Sequence, residues 1–416
     1  MTRSRTPAKI GGIGINPRKW LDSRISMGMK LGLENCRILL SRLGQPHLDF
    51  PSVHVAGSNG KGSLCVQLSA AASASGLTTG LFTSPHLMTV EERIRIDGRP
   101  IAPKKFDRAL TKVREASELD PKCSPTYFET TFLAAMVAFS EAGVQRGIIE
   151  TGMGGRLDAT RLVDADLCFL TTVSMEHSEY LGETLREIAF EKASIHRPGV
   201  PMIALQHSDP EVREVIEEIA GSDLSWWISQ SQTPWNNYTA MVREAATILG
   251  WSTNSTQCVW PGRSPGFGSD WIEGITTRIS AAHNAESLAA DLSEVERPCV
   301  ILLGMTAKKD LKETLAPLVS QLQSNSLFSG LVLTEPISGR NPAVQINSLE
   351  KTLRKLGVVP DSAYENPLEA FEIASEMAVE GNYDLIVLGS VYLVGDLFRH
   401  MVESNDWDLW ESLSSH

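Results

Sequence analysis

The sequence predicts an α/β fold with two parallel sheets, each covered by helices on both faces. Short runs of β-branched and aliphatic residues alternate with helical stretches along most of the 416 residues, and this alternation is typical of parallel strands joined by helices. Two of the runs, 146–152 and 165–173, are apolar throughout, as expected for strands whose sheet is covered on both faces. The length of the chain corresponds to ~2 to 3 domains.

The first half of the chain contains a regular alternation of elements that ends near residue 206. We predict strands at 52–57, 78–84, 146–152, 165–173 and 201–206, and helices at 63–76, about 104–118, 126–143 and 183–195. The helix at 126–143 has a mostly apolar surface, which indicates that it is well buried.

The middle of the chain, residues 222–275, is rich in Trp, Ser, Asn, Gly and Pro and is expected to be less regular. We place a domain boundary near 230–235. After it the alternation resumes, with strands at 276–282, 298–304, 330–335 and 384–390 and helices from Asn284, between 304 and 330, at 345–356, at 366–379 and from Val394. These elements predict a second, smaller α/β domain.

Composition argues against several classes of protein. The formal charge of −12 opposes broad attraction to nucleic acid or to an anionic membrane. The six cysteines are scattered without a Cys-x-x-Cys pair, which indicates reduced thiols in a cytoplasmic protein rather than disulfides or a zinc site. No stretch reaches the ~18 apolar residues of a membrane span. The basic N-terminus, residues 1–14, lacks the apolar core of a secretion signal, and we expect a flexible leader there.

The stretch HVAGSNGKGS, residues 54–63, has the local context of a phosphate-binding loop. In the common loop four residues separate a first glycine from Gly-Lys-Ser/Thr, whereas Val55 stands at that place here and Gly62 separates Lys61 from Ser63. The glycines follow a predicted strand and precede a predicted helix, whose first N–H groups favour anions. A plain tight turn is the alternative. The residues expected at the phosphates are Gly57, Ser58, Asn59, Gly60, Lys61, Gly62 and Ser63, with the Ser63 hydroxyl also a candidate ligand for Mg²⁺.

The string GSNGKGS resembles the ATP loop of the Mur ligase superfamily. Other stretches narrow this resemblance to the folylpolyglutamate synthase and dihydrofolate synthase family, and they occur in the family's order. They are residues 23–63, GLFTSPHLMTVEERIRIDGRPI (80–101), TYFETTFLAAMVAF (126–139), IIETGMGGRLDAT (148–160), EHSEYLGETLREIAFEKASI (176–195) and LGSVYLVGDL (388–397). The resemblance is dense from about residue 24 to 206 and thinner through the rest of the chain.

The resemblance implies two domains and one reaction. Residues 1–232 are expected to form an N-terminal P-loop-type parallel-sheet ATPase domain that also binds folate, and residues 233–416 a smaller C-terminal Rossmann-like α/β domain that serves as the glutamate-ligase domain. The implied enzyme is an ATP-dependent ligase. A folate carboxylate attacks the γ-phosphate to form an acyl phosphate, and the amine of L-glutamate then displaces phosphate.

The resemblance also implies cofactors and partners. ATP and Mg²⁺, with two ions, are the expected cofactors, and a folate or pteroate and L-glutamate are the expected substrates. We expect a cytoplasmic monomer. The sequence does not separate dihydrofolate synthase from polyglutamate extension or from an enzyme with both activities.

Two metal-binding roles carry over from the family to residues downstream of the loop. Glu150 ends a predicted strand, and the matching family glutamate holds Mg²⁺; a solvent-facing acid is the alternative. His177 matches a family histidine that ligates a second Mg²⁺, although imidazole is an uncommon ligand for this ion. The family has aspartate just before that histidine, whereas this chain has Glu176, which keeps the charge on a longer arm.

Lys192 matches a lysine that is carbamylated in relatives. A carbamate replaces the cation by an anion that can orient a metal. The alternative is an ordinary helix lysine paired with Glu187 or Glu191. Lys61, His177 and Lys192 are the residues that we expect to be catalytic.

The expected substrate contacts come from three stretches of the first domain. TSPHL, residues 83–87, resembles the segment that closes over the pterin, and residues 152–160 bring an arginine towards an anionic folate tail. Aromatic residues at the start of helix 126–143 suit stacking on a flat heterocycle, with core packing as the alternative. Arg93 and Arg95 share one face of a predicted strand, where they either reach substrate or face solvent. The expected substrate-binding residues here are Ser84, Pro85, His86, Tyr127, Phe128, Arg156 and Asp158.

The second domain contributes the remaining expected contacts with ATP and glutamate. Arg263 follows the linker at a place where the family contacts ATP phosphates. His283 and Asn284 lie at a strand end near the nucleotide, and Ser390 matches a position near the glutamate site. A capped strand–helix turn is the alternative for these residues.

The ribose end of the nucleotide site departs from the family. Ser280 stands where the family has an aspartate thought to hold the ribose hydroxyls, and a serine cannot form that charge-assisted hydrogen bond. The family's linker motif His-Gln-x-x-Asn is also absent, and PWNNYTA stands near its place. ATP is therefore expected near Ser280 but bound more weakly or in a different pose.

Two other functions remain open from the sequence. One keeps the ligase chemistry but joins another carboxylated substrate, such as a cell-wall precursor; the motifs TSPHL and YFE favour folate over a UDP-sugar. The other is a nucleotide-binding protein without ligase activity. The intact loop lysine and the metal-site candidates argue against this second alternative, and Ser280 argues for it.

Overall fold

The computed structural model describes residues 16–28, 30–231, 233–252, 257–307, 310–339 and 342–416. The stretch expected to be a leader lies outside these residues. The described residues form an 8-stranded sheet and a 5-stranded sheet, which confirms the predicted α/β class with a larger first and a smaller second sheet. None of the helices in these ranges is long and apolar enough to cross a membrane.

The first sheet is mostly parallel. Its strands are β1 (Ser52–Ala56), β2 (Thr79–Phe82), β3 (Ile94–Ile96), β4 (Arg99–Pro100), β5 (Arg146–Glu150), β6 (Ala165–Leu170), β7 (Met202–Leu205) and β8 (Leu224–Trp227). They lie in the order β4-β3-β2-β5-β1-β6-β7-β8. Among these strands only β3 runs in the opposite direction, and it pairs antiparallel with both β2 and β4 at one edge. The carboxyl ends of β1, β2, β5 and β6 therefore meet at one edge of the sheet, where ligands bind in such folds.

Helices cover both faces of the first sheet. They are α1 (Pro17–Asp22), α2 (Glu34–Arg42), α3 (Lys61–Ala74), α4 (Pro103–Glu118), α5 (Tyr127–Ala142), α6 (Ser178–Leu181), α7 (Leu185–Ala193), α8 (Pro210–Ala220) and α9 (Pro234–Leu249). Successive residues of the central strand β5 belong to opposite cores, Ile148 to the one with α3 and α9 and Ile149 to the one with α5. This explains why the middle of β5, residues 147–149, is apolar.

The middle of the chain is more regular than the sequence indicates. Residues 222–275 include strand β8 and the 16-residue helix α9, so the expectation of irregular structure is wrong for these parts. The buried residues of α9 recur at helical spacing, but Trp, Asn and Thr between them hide the pattern. These residues are Asn237, Tyr238, Met241, Val242, Ala245 and Ala246. They pack with α3 on the first sheet.

The second sheet is parallel throughout. Its strands are β9 (Thr277–Ile279), β10 (Cys299–Gly304), β11 (Phe328–Thr334), β12 (Ser362–Tyr364) and β13 (Asp384–Leu388), in the order β12-β11-β10-β13-β9. Its helices are α10 (Ala285–Ser293), α11 (Leu311–Ser324), α12 (Ile346–Lys355), α13 (Pro367–Gly381), α14 (Val391–Ser404) and α15 (Leu409–Ser412). Helix α14 begins three residues before the predicted Val394, because the Ser390 hydroxyl accepts a hydrogen bond from the Tyr392 N–H and caps the helix.

The six cysteines are free, as the scattered spacing predicts. Five of them are buried and Cys258 is partly exposed. They behave as small apolar residues of the two cores.

The segment that follows β2 and contains Leu87 and Met88 also packs against the second sheet and its helix α14. The side chain of Leu87 lies in the core around the second sheet, and the Arg399 guanidinium of α14 donates to the Met88 carbonyl at 3.1 Å. A Cβ added to Gly395 of α14 would lie 2.4 Å from the Leu87 carbonyl oxygen. Helix α14 therefore contacts the backbone of this segment, and only glycine permits that approach.

This contact predicts an unusual response to the substitution Gly395→Ala. Alanine inside a helix is normally more favourable than glycine by about 1 kcal/mol. Here we expect a net loss of stability, because the new methyl overlaps the Leu87 carbonyl and overpacking costs about 1–3 kcal/mol. The loss is measured as the difference in the free energy of unfolding in urea between the variant and the wild type. Glu403→Ala, at an exposed position of the same helix, is the matched control and should change stability by less than about 0.5 kcal/mol. A Gly395→Ala variant more stable than the wild type would contradict the packing described.

Candidate functional site

The glycine-rich loop between β1 and α3 is shaped by two close contacts. Gly57 has φ +145°, and a Cβ there would lie 1.9 Å from the Thr171 hydroxyl oxygen. Gly60 has φ +82°, and a Cβ there would lie 1.7 Å from the Tyr238 hydroxyl oxygen. Both positions require glycine for conformation and for space. The loop is therefore fixed by β6 on one side and by α9 on the other.

Lys61 begins helix α3, immediately after the loop. Its ammonium donates to the carbonyl oxygens of Gly57 at 2.8 Å and Ser58 at 2.9 Å. The cation thus lies inside the concave side of the loop, next to N–H groups at the start of a 14-residue helix. This combination of a fixed positive charge and unpaired helix N–H groups binds phosphate.

The loop also contacts the start of helix α10 from the second sheet. The Asn284 amide donates to the Asn59 side-chain oxygen at 2.8 Å, and the Asn59 amide donates to a Glu286 carboxylate oxygen at 2.5 Å. The Asn59 backbone N–H donates to the Thr172 hydroxyl at 3.1 Å. The structure therefore brings the predicted ATP-binding residues Asn59 and Asn284 together across the two sheets.

Glu150 lies at the carboxyl end of β5 and is 2% exposed. One carboxylate oxygen accepts a hydrogen bond from the Ser84 N–H at 2.9 Å. Burial raises the pKa of Glu150, whereas the charges of Lys61 and Arg263 lower it. The neighbouring Ser63 hydroxyl makes no hydrogen bond to the described part of the chain. A carboxylate and a hydroxyl of this kind suit Mg²⁺, which takes few protein ligands and completes its shell with phosphate oxygens and water.

Lys192 of α7 is 1% exposed, and its ammonium contacts two groups of the site. It lies 2.5 Å from a Glu176 carboxylate oxygen and donates to the Gly57 carbonyl at 3.0 Å. Burial lowers the pKa of Lys192 to about 8, although Glu176 acts in the opposite direction. The structure therefore pairs Lys192 with Glu176 rather than with Glu187 or Glu191, and joins it to the glycine loop.

His177 lies next to Glu176 but is exposed. It has φ +47° and precedes the short helix α6. Over the ranges that the structure describes, there is no group of three or more His, Cys, Asp or Glu that could hold a metal ion. The role of His177 at a second Mg²⁺ stays a prediction.

The glycine turn after β5 is organised by Asp158. Its Oδ2 accepts from the N–H groups of Gly152 and Met153, each at 2.9 Å, and its Oδ1 accepts from the Thr160 N–H at 3.0 Å. The Thr160 hydroxyl in turn lies 2.9 Å from a ring nitrogen of the fully buried His54. Both oxygens of Asp158 therefore hold the turn in place, and its contact with substrate stays a prediction. No sequence pattern predicts the part that His54 takes here.

The other candidates on the folate side border this turn. A Cβ on Gly152 would lie 2.6 Å from the Phe128 ring, so the ring covers the turn. Phe128 is partly exposed, whereas Tyr127 is 8% exposed and lies under the Arg93 guanidinium at 5.4 Å. Phe128 is thus the better placed of the two for stacking on a heterocycle.

Arg156 lies on the same side and contacts two residues of α7. Its guanidinium pairs with Glu191 at 2.8 Å and lies 5.7 Å from the centre of the Phe190 ring. The guanidinium is largely exposed, so it remains accessible to an anion in addition to these partners.

Arg93 and Arg95 are buried, at 2% and 1% exposure, so the alternative that they face solvent is wrong. The Arg93 Nε donates to the ring of His86 at 2.9 Å. Arg95 lies 4.5 Å from the centre of the Trp260 ring, and burial lowers its pKa to about 10. Strand alternation places both side chains on one face but cannot show that α5 and the linker cover that face.

A narrow cavity of about 20 Å³, the volume of about one water molecule, joins the two halves of the site. Its walls come from the start of α3, the segment after β2, strands β3 and β5, residues 260–263 and the start of α14. They are Gly62, Ser84, Pro85, Leu87, Glu92, Arg95, Glu150, Trp260, Pro261, Arg263 and Val391. The structure therefore brings together Gly62, Ser84, Pro85, Glu150 and Arg263, which the sequence assigns to ATP, metal and substrate. Buried Ser390 precedes Val391 at the same end of the second sheet.

The strand end at Ser280 contains a carboxylate that the sequence analysis missed. The Ser280 hydroxyl donates to Asp291 Oδ2 of helix α10 and accepts from the Ala282 N–H at 3.0 Å. His283 follows, with a ring nitrogen 2.8 Å from the Ala281 carbonyl. Asp291 is eleven residues from Ser280 in sequence, so no local motif links them, and only the packing of α10 against β9 brings them together.

Comparisons with known proteins identify relatives of this chain. No protein-family model matches the chain. The Bacillus subtilis dihydrofolate synthase/folylpolyglutamate synthase is 36% identical over 207 residues, which are 49% of this chain and 48% of that protein. The chain thus spans about half the length of that curated relative. The Saccharomyces cerevisiae dihydrofolate synthetase is 28% identical over 425 residues. This match covers 90% of this chain and 98% of that protein.

A solved structure extends the likeness to nearly the whole fold. The structure of Escherichia coli FolC in complex with DHPP and ADP has a TM-score of 0.80 and 25% identity, and the match covers 94% of this chain and 99% of that one. The resemblance that the motifs indicate is confirmed. In sequence and in fold, the chain is similar to dihydrofolate synthases and folylpolyglutamate synthases.

Proposed function

We propose that the protein is an ATP-dependent ligase that joins L-glutamate to a folate through an acyl phosphate. The observation that carries the proposal is the loop at 57–63, in which Lys61 and the start of α3 face the buried carboxylate of Glu150. Positive charge for phosphates and a carboxylate for a divalent cation lie side by side, as phosphoryl transfer from ATP needs. The names of the relatives support folate as the class of acceptor.

The proposed reaction depends mainly on positioning and on charge. The loop N–H groups and Lys61 hold the phosphates, and Arg263, whose guanidinium lies 3.7 Å from a Cβ placed on Gly62, neutralises charge from the other side. Mg²⁺, held by Ser63 and Glu150, would supply Lewis-acid stabilisation of the phosphate charge. These groups stabilise charge that develops on the transferred phosphoryl group.

The folate is proposed to bind on the side of the glycine turn after β5. Phe128 offers an aromatic face, and Arg156 offers an accessible guanidinium for a carboxylate. Ser84, Pro85 and His86 border the same space and reach the second sheet through Leu87. L-Glutamate is proposed to enter from the side of Ser390 and α14. A second Mg²⁺ at His177, a cytoplasmic location and a monomeric state also remain predictions.

The acceptor is tested by measuring ADP release from purified protein with Mg²⁺ and L-glutamate. Dihydropteroate and tetrahydrofolate are compared as acceptors, with reactions lacking L-glutamate as controls. If only dihydropteroate supports glutamate-dependent ADP release, the protein is a dihydrofolate synthase. If only tetrahydrofolate supports it, the protein extends polyglutamate. Release with both acceptors indicates a bifunctional enzyme. If neither acceptor stimulates release, the folate proposal is wrong, and a ligase for another carboxylate or a nucleotide-binding protein takes its place.

The phosphate loop predicts the effect of Lys61→Ala. The variant should lose at least about 100-fold in the rate of ADP release, because a fixed charge at the transferred phosphate is removed. Lys351→Ala, which removes an exposed lysine of α12, is the matched control and should keep the wild-type rate. A Lys61→Ala variant within a few-fold of the wild type would rule out the assigned role.

A carbamate on Lys192 is a further proposal for this site. The pKa of about 8 leaves part of the amine neutral near pH 7, and the neutral amine is the form that reacts with CO₂. We expect Lys192→Ala to lose activity and short-chain carboxylates such as acetate to restore part of it, since they replace the missing anion. Full activity of the variant without added carboxylate would exclude the carbamate, and so would an inactive variant that no carboxylate rescues.

A further inference from the structure

The carboxylate of Asp291 lies beside Ser280, at the carboxyl end of strand β9. Ser280 directly follows β9, at the edge where the carboxyl ends of the parallel strands of the second sheet lie. Ligands of such sheets bind outside these strand ends. Helix α10 places Asp291 against Ser280, so this strand end has a carboxylate although residue 280 is not acidic.

The same strand end is connected to the phosphate loop. The turn that starts at Ser280 ends at Asn284, whose amide donates to Asn59 of the loop at 2.8 Å. Arg263 lies close enough to both Glu150 and Asp291 for its charge to lower the pKa of each. Asn284 and Arg263 therefore link the phosphate loop to the strand end that carries the carboxylate, and in a nucleotide the ribose is bonded directly to the phosphates.

One carboxylate oxygen of Asp291, Oδ1, is available as a hydrogen-bond acceptor. Oδ2 accepts from the Ser280 hydroxyl, whereas Oδ1 makes no hydrogen bond to the part of the chain that the structure describes. No ion pair within 4.0 Å neutralises it there, and burial raises its pKa. Holding a partly buried carboxylate without an ion-pair partner costs stability, which is a reason to look for a ligand that donates to it.

We propose that Asp291 accepts hydrogen bonds from the ribose hydroxyls of the bound nucleotide, and that Ser280 holds the carboxylate in position for this contact. The inference rests on the proposed function, because it takes ATP as the ligand of the loop. It assigns recognition of ribose to a helix residue, with the strand-end serine as its support. Asp291 thus selects ribonucleotides and does not take part in phosphoryl transfer.

The experiment compares the binding of ATP and of 2′,3′-dideoxy-ATP, each with Mg²⁺, by isothermal titration calorimetry of the full chain. The wild type should bind ATP about 10-fold or more tightly than the dideoxy nucleotide, because a hydrogen bond to a charged acceptor is lost. In Asp291→Ala this ratio should fall to within about twofold of one. The variant should weaken ATP binding while leaving binding of the dideoxy nucleotide close to the wild-type value.

Glu294→Ala is the matched control. Glu294 immediately follows the same helix and pairs with Arg278 at 2.9 Å, so its loss removes a nearby carboxylate that the proposal does not use. This control should keep the wild-type ratio. If Asp291→Ala does not fold, the isosteric Asp291→Asn is measured instead. Its ratio of affinities for ATP and the dideoxy nucleotide should be at least about threefold below that of the wild type.

Two results would overturn the inference alone. They are a wild-type protein that binds both nucleotides equally, and an Asp291 variant that discriminates as well as the wild type. A wild-type protein that binds neither nucleotide would overturn the proposed function as well. Binding of ATP therefore separates a failure of this inference from a failure of the ligase proposal.

Discussion

The conformation of the loop between β1 and α3 is the constraint on which the rest of the site depends. Gly57 packs against Thr171 of the first sheet and Gly60 against Tyr238 of α9, at distances that no side chain would permit. Because these contacts fix the loop before any ligand binds, its N–H groups and Lys61 need no rearrangement to meet phosphate. Pre-organised charge of this kind is what phosphoryl-transfer sites supply.

Opposite charges surround this loop in a balanced set. The cations of Lys61 and Lys192 both lie at the Gly57 carbonyl, and the buried carboxylates Glu150 and Glu176 lie beside them. Each charge in the set is costly to bury alone and acceptable only with its neighbours. The second sheet completes this arrangement, since Asn59 bonds to α10 and the segment around Leu87 packs on α14. The site is therefore built from residues of both parts of the chain.

Much of this could be predicted from the sequence, because strands covered on both faces and loops rich in glycine have strong local patterns. These patterns predict the loop, whereas the roles of Glu150 and Lys192 follow from the resemblance to the ligase family, and the structure places these residues beside the loop. Contacts that depend on packing could not be predicted. Helix α9 was missed because polar residues interrupt its apolar face, and Asp291 because its partner Ser280 is distant in sequence. The buried positions of Arg93 and Arg95 depend on elements that cover them from elsewhere in the chain.

The central claim is that ATP at this loop activates a carboxylate by transferring a phosphoryl group to it. Its most direct measurement is the fate of ¹⁸O from a pteroate or folate acceptor labelled in the reacting carboxyl group. If an acyl phosphate forms, one labelled oxygen per turnover appears in the released phosphate, as seen by mass spectrometry. Released phosphate without the label, while the amide product forms, would contradict the account.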